Sequence, residues 1–496
     1  MTPVRNRKVI VIGAGLGGIS AAISLAQQGY TVEVFEKNAQ IGGKLNMLRR
    51  EGYVFDLGPS ILTLPHLFER LFAGSGRRMA DYVSIRRVRP HWRNIFEDGT
   101  VFDFVPDEEA MSDELAKLGK GLDKPFREFL SYSGKLYDLV NRGYFEAGLD
   151  SVAEFIRYYE PGAILEFDLF RTMHGGVTRF IQEPRLRDAL DFFIKYVGSS
   201  AYDAPAFMNC LPTIQFRYDL WYVDGGMYNM AVGLGRLMEE LGIRVNPGQE
   251  VTEIRKEGGR VSGITANGVF HPADIVVCNM EVIPATRELL KAGPAEMKRL
   301  ERFEPACSGL VIDLGLDCRY PQLAHHNFFF SGDQKSHFKA VFKDKVLPHD
   351  PTLYVVASSR TDPTVAPAGC DGLKILPHIP PADPARPLAP EEYGALRERV
   401  LDKLERMGLK DLRRHIVVEH LWTPVDIQRE YYSNRGSIYG VVCDRWKNFA
   451  FKAPKQSPRY PNLFFTGGSV NPGGGMPMVV LGGQNVCKRI VEWDRP

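Results

Sequence analysis

Lys8-Val-Ile-Val-Ile12 runs directly into Gly13-Ala-Gly15-Leu-Gly17-Gly18, and no other stretch limits the fold of this chain so tightly. The run is apolar and β-branched, as a strand covered on both faces of a parallel sheet should be. Ile19, Ala22, Ile23 and Ala26 then recur at helical spacing, which predicts a helix from Ile19 to Gln28 closed by Gly29. Thr31-Val-Glu-Val-Phe35 predicts the next strand, with Glu36 at its end. The glycines have separate roles. Gly13 permits the tight turn, Gly15 lets the backbone approach a pyrophosphate, and Gly18 lets the helix pack close to the strand. Gly17 belongs to the same turn. The phosphates would sit on the helix N-terminus, where free N–H groups point outward. Glu36 stands about 20 residues beyond Gly15, where a carboxylate accepts from the ribose hydroxyls of an adenosine group without a 2′-phosphate. Lys37 follows it. The fold class is therefore α/β, built on a Rossmann-type dinucleotide-binding domain.

A second glycine-rich loop lies at the opposite end. Asn462-Leu-Phe-Phe465 is a short strand that enters Thr-Gly467-Gly468-Ser469-Val-Asn471-Pro472-Gly473-Gly474-Gly475-Met476-Pro477-Met478. A helical pattern follows from Val479 to Glu492, so this loop too presents a helix N-terminus to an anion. Nearer the first motif, Ile41-Gly42-Gly43-Lys44 places two glycines and a cation where a loop can wrap further along a dinucleotide. In the middle, a helix from Tyr228 to Leu241 precedes short strands at 242–245 and 250–254. Ala273-Asp274-Ile-Val-Val-Cys278-Asn279 reads as a central strand whose last residue, Asn279, joins the cofactor-facing set. The cofactor domain is thus discontinuous. The boundaries expected are 1–104, 221–304 and 456–496 for its three parts. A helical insert is expected at 105–220, rich in Leu, Phe and Tyr, and a mixed α+β substrate domain at 305–455.

Composition narrows the partners. Lys plus Arg (62) nearly cancels Asp plus Glu (60), which gives no electrostatic case for nucleic acid. Forty-eight glycines and 29 phenylalanines suit backbone close to a ligand and an aromatic site for a large apolar substrate. Seven cysteines without a Cys-x-x-Cys pair, and a short polar N-terminus, read as a reduced cytoplasmic protein. No apolar run is long enough to span a bilayer. His325 and His326 are adjacent, so on an extended chain their side chains point apart, which is not zinc spacing. No metal site is expected. Asp56 is assigned no chemistry. Arg49-Arg50 and Arg86-Arg87 are basic pairs suited to solvent or lipid headgroups.

The two glycine-rich ends, with Trp221-Tyr-Val-Asp224-Gly225-Gly226-Met227, resemble the bacterial phytoene desaturase family within the flavoprotein amine oxidase superfamily. The resemblance covers the whole chain and implies FAD. It implies that Lys44 lies near the cofactor phosphates and that Gly58-Pro59-Ser60 lies beside the flavin. It also implies that Val251 meets the adenine through its backbone, and that Gly467, Gly468, Gly475, Met476, Pro477 and Met478 serve the ribityl and isoalloxazine end. Phe193 to Pro205, Tyr320 to Phe330 and Asn434 to Val442 are similar to the diapocarotenoid terminal-oxidase branch. Gly468, Asn471 and Gly474 stand where desaturases often carry small Ala residues and a His. This branch implies oxidation of a terminal methyl group of a linear diapocarotenoid to an aldehyde through an alcohol, with molecular oxygen. Desaturation is the alternative. The flavin carries the hard redox step and the charge of the reacting polyene is delocalised, so little acid–base chemistry is needed. Asp203, His325 and His326 are the polar residues to test for any proton transfer. A substrate dissolved in a bilayer implies a peripheral, monotopic enzyme whose 105–220 insert faces the membrane. The oligomeric state stays open.

Overall fold

The computed structural model describes residues 7–300 and 302–495. Its organising element is a parallel sheet assembled from distant parts of the chain. In chain order these are β1 (Lys8–Ile12), α1 (Leu16–Gln27), β2 (Thr31–Phe35), β3 (Arg244–Asn246), β4 (Ile275–Cys278), β5 (Leu463–Phe465) and α2 (Met476–Trp493). The strand order is β5-β4-β1-β2-β3, all parallel. The centre is β1, so the stretch ending at Asn279 lies one strand from the edge rather than at the middle. The strand there, Ile275–Cys278, is also shorter than the expected Ala273–Asn279. Val269–Pro272 turns away into a separate antiparallel sheet with Val251–Glu257 and Arg260–Ala266.

α1 begins at the glycine cluster, three residues before its apolar pattern is legible. Gly15, in extended backbone, caps it without any side-chain hydrogen bond, and Gly29 closes it at φ +84°. Its residues from Leu16 to Leu25 are buried on all sides because the sheet covers one face and α2 the other. A Cβ at Gly483 of α2 would lie 2.6 Å from both Ala21 N and Gly17 O. Only hydrogen there lets the two helices touch along their backbones.

The second sheet is larger and mixed. Its strands run in the order Ile416–Trp422, Val311–Leu316, Asp371–Ile379, Leu353–Val356, His326–Phe329, Trp92–Ile95 and Val101–Phe104. Neighbours are antiparallel except Trp92–Ile95 on His326–Phe329. This sheet therefore draws its last two strands from within the first 104 residues. Between 105 and 220 the chain is helical, with no β-strand from Glu108 to Tyr218. Phe126, Phe129, Leu136 and Phe193 pack there into the same core as α1 and α2. All seven cysteines are free. Among the described residues no helix is long and apolar enough to cross a membrane. Arg86 and Arg87 are tied to Asp224 and Asp219.

Candidate active site

A cleft of about 300 Å³ runs from the turn between β1 and α1 to the C-terminal loop. Gly13, Gly15, Gly17, Glu36 and Lys37 line one end, beside Gly42, Gly43 and Lys44. Val251 and Asn279 form a side wall, and Gly58, Pro59, Gly467, Gly468, Gly475 and Met476 form the far end. Both ends of the chain thus meet in one groove because β5 pairs with β4 and brings the last loop beside α1.

The groove is shaped by missing side chains. A Cβ at Gly15 would lie 2.7 Å from Asn279 Oδ1, and one at Gly17 would lie 3.2 Å from Gly467 N. Gly18 sits beneath the groove, where a Cβ would lie 2.1 Å from Gly13 O. The first-turn N–H groups of α1 have no intrahelical partner and no capping side chain. Glu36 is buried, accepting from Ala14 N at 2.7 Å through one oxygen and from Asn38 N at 2.9 Å through the other. Each carboxylate oxygen keeps a further lone pair for a ligand. Lys37 lies 4.7 Å from the Tyr432 ring centroid. Lys44 Nζ donates to Ser437 O at 2.8 Å and to Glu281 at 3.2 Å. These residues fit a dinucleotide, with an anion-binding helix end and an acidic ribose partner.

A second cavity, of about 140 Å³, opens from the first. Gly58, Pro59, Lys374, Leu376, Tyr439 and Gly474 to Met476 line both. Ser60, Pro477 and Met478 belong to the second alone, with an apolar wall of Leu64, Val140, Phe145, Met208, Leu211 and Ile214. No carboxylate lines it among the described residues, yet Lys195, Lys374 and Lys452 all do.

The three lysines are buried but differently engaged. Lys374 donates to the Gly58 carbonyl and to Ser60 Oγ. Lys452 donates to Val441 O at 2.8 Å. Burial holds both below the usual lysine range. Lys195 Nζ has no hydrogen-bond or ion-pair partner among the described residues. It lies 4.2 Å from the ring centroid of Tyr354, 4.5 Å from Tyr196, 4.8 Å from Trp92 and 4.9 Å from Phe328. Burial pushes the Lys195 amine well below its ordinary value, while the four aromatic faces favour its cation. Asp56, near Lys374, accepts from Met227 N at 2.8 Å. Burial pushes its pKa up to about 7, opposed by Lys374.

The three residues named for proton transfer lie outside both cavities. Asp203 pairs with Lys343 at 3.3 Å. His325 Nδ1 meets Thr361 Oγ1 at 2.6 Å, and His326 Nδ1 meets the Tyr354 hydroxyl at 2.9 Å. The expectation that the two imidazoles point apart is corrected: their ring centroids are 4.3 Å apart, both rings buried. His325 sits in a bend just before the strand begins, so strand alternation does not apply to it. Burial lowers the His325 pKa to about 3 and takes His326 well below its ordinary value.

Sequence reading missed the cavity lysines, Gln215 and the wall contributed by Trp422, Tyr431 and Tyr439. One signal was present. Lys195 in Phe-Phe-Ile-Lys-Tyr-Val and Lys374 in Gly-Leu-Lys-Ile-Leu are single cations inside apolar runs, and such a lysine is rarely buried without a reason.

Residues 16–491 match the flavin-containing amine oxidoreductase family. The chain is 59% identical over 488 residues to 4,4′-diapolycopene oxygenase of Methylomonas sp, covering 98% of each. It is 50% identical to 4,4′-diaponeurosporene oxygenase of Staphylococcus haemolyticus, over 98% of this chain and 97% of that one. The solved structure of putrescine oxidase with putrescine bound has the same fold, at a TM-score of 0.67 and 16% identity over 99% of this chain and all of that one. With the family matched over nearly its full length, the chain is a flavin-dependent oxidoreductase and belongs to the flavin-containing amine oxidoreductase family.

Proposed function

We propose that this protein uses FAD to oxidise the terminal methyl group of a linear diapocarotenoid to an aldehyde, through the alcohol, with molecular oxygen. The overall balance is R–CH3 + O2 → R–CHO + H2O. The observation that carries the reading is the carboxylate-free apolar cavity that opens onto the cofactor cleft at Gly58, Pro59 and Gly474 to Met476. An amine substrate would be bound as an ammonium ion, and among the described residues this wall offers no carboxylate to pair with it. A polyene end fits an apolar wall with few polar groups. The oxygenase names of the full-length relatives point the same way.

FAD supplies the electron transfer between substrate and oxygen when it is bound. The chain supplies position. Glu36 would orient the adenosine ribose, and the first turn of α1 would face the diphosphate. Lys37, Lys44, Val251 and Asn279 line its path. Gly58, Pro59, Ser60, Gly467, Gly468, Gly475, Met476, Pro477 and Met478 border the ring end, where the two cavities join. The apolar wall orients the polyene terminus and excludes water from it.

A membrane supplies such a substrate. Leu165 and Phe170 are 78% and 81% exposed, and Trp446 and Phe449 are also exposed. Arg445 holds the two groups together by donating to Phe170 O at 2.7 Å. Behind them, Phe451 packs on Tyr144 of the cavity wall. We assign this apolar patch to monotopic contact with a bilayer.

Expression in a host that makes a linear diapocarotenoid tests the reaction. Products that gain one oxygen and lose two hydrogens support it. Products that only lose hydrogens would make the protein a desaturase.

A further inference from the structure

A cavity for a pure hydrocarbon needs no buried nitrogen donor, yet Lys195 and Gln215 line this one with side-chain nitrogens that have no hydrogen-bond partner among the described residues. Lys195 Nζ has none among the described residues, while the other two cavity lysines are bound to carbonyls. Gln215 is fully buried, and its Nε2 also lacks a partner. Tyr196 joins the two. Its ring lies 4.5 Å from Lys195 Nζ, and its hydroxyl donates to Gln215 Oε1 at 3.3 Å. Unsatisfied buried polar groups are costly, and a ligand atom that pairs with them removes the cost. Both are hydrogen-bond donors, so the atom they call for is an acceptor.

The residues next to the pair lie toward the cofactor cleft. A Cβ at Gly475, which borders both cavities, would lie 3.9 Å from the Tyr196 carbonyl oxygen. Tyr354, whose ring is 4.2 Å from Lys195 Nζ, pairs across strands with Leu376, another residue of both cavities.

We propose that Lys195 and Gln215 bind the oxygen atom of a partly oxidised polyene end, so that the site accepts terminal alcohols and aldehydes in preference to hydrocarbons. This rests on the polyene-oxidase reading and goes beyond it by naming the species held and the residues that hold it. An uncharged amine is suited to both species, because it accepts from a hydroxyl and donates to a carbonyl, while the Gln215 amide donates to either. Holding the alcohol between the two oxidations keeps it from leaving before it becomes the aldehyde.

The test uses the flavin-loaded protein under anaerobic conditions and three linear polyenes of equal length: the hydrocarbon, its terminal alcohol and its terminal aldehyde. Binding is read by quenching of tryptophan fluorescence, since Trp92 borders Lys195. The alcohol and aldehyde are expected to bind about tenfold more tightly than the hydrocarbon, the worth of one net hydrogen bond. Lys195→Met and Gln215→Leu keep side-chain volume. Each should remove most of that preference, leave hydrocarbon affinity within about twofold, and raise the alcohol-to-aldehyde ratio in turnover. Wild-type protein that binds all three polyenes equally would overturn the proposal whether or not the variants fold. Variants with full flavin content that keep the preference would overturn it too. The two readings fail separately. A protein that prefers the aldehyde but leaves methyl groups untouched loses the assigned reaction and keeps this site. One that oxidises methyl groups without any such preference loses the site and keeps the reaction.

Discussion

Gly18 carries the tightest steric constraint at the cofactor turn. With a Cβ 2.1 Å from Gly13 O, Gly18→Ala must push α1 off β1. A cost of about 3 kcal/mol is expected from such overpacking, and the purified variant should lose its flavin absorbance. Glu36 acts through charge. Removing a charge-assisted hydrogen bond costs about 1.5–3 kcal/mol, so Glu36→Ala should weaken FAD binding by about 10- to 100-fold in a flavin titration. Both residues were legible in the sequence because their neighbours are local: the turn, the helix and the acid lie within one βαβ unit. Lys195, Gln215 and Lys374 were not. Their burial comes from strands and helices far away along the chain, and the only local trace is a lone cation inside an apolar run at Lys195 and Lys374.

At the scale of elements, the strand–helix–strand start and the C-terminal loop with its helix followed from apolar patterning, and the helical stretch from 105 to 220 from its composition and few strand signals. The partners of the second sheet did not. Trp92–Ile95 lies parallel to His326–Phe329, and such a pairing leaves no mark in either segment. Sequence alone assigns the membrane face to the whole 105–220 insert, and only the folded helices show that Leu165 and Phe170 are exposed within it. Each large apolar side chain that leaves water contributes about 1.5–3 kcal/mol. Combined Leu165→Ser, Phe170→Ser and Trp446→Ser should therefore lower binding to neutral lipid vesicles at least tenfold in a flotation assay, with flavin content unchanged. Unaltered vesicle binding would remove this patch as the membrane contact.

The whole molecule buries titratable groups around its cavities and second sheet, and this sets its response to acid. Burial lowers the pKa of His91 and His337 to about 4, and of His325 and His378 to about 3. Each stays neutral in the fold and is protonated on unfolding below about pH 6.5, so stability is full above that pH and falls as pH drops toward 4. Asp56 and Asp188, raised to about 7 by burial, act in the opposite sense between about pH 4 and 7. Asp191 and Asp313 are raised too, while His66 and His326 are lowered, so six histidines stand against four carboxyls. The thermal midpoint should accordingly fall between pH 7 and pH 5, and a higher midpoint at pH 5 would show that the carboxyls dominate. The central claim concerns the reaction that this assembly serves. Flavin-loaded protein supplied with a linear diapocarotenoid hydrocarbon under 18O-labelled oxygen should yield a terminal aldehyde carrying the label. A product that has lost hydrogens and gained no oxygen would contradict the account.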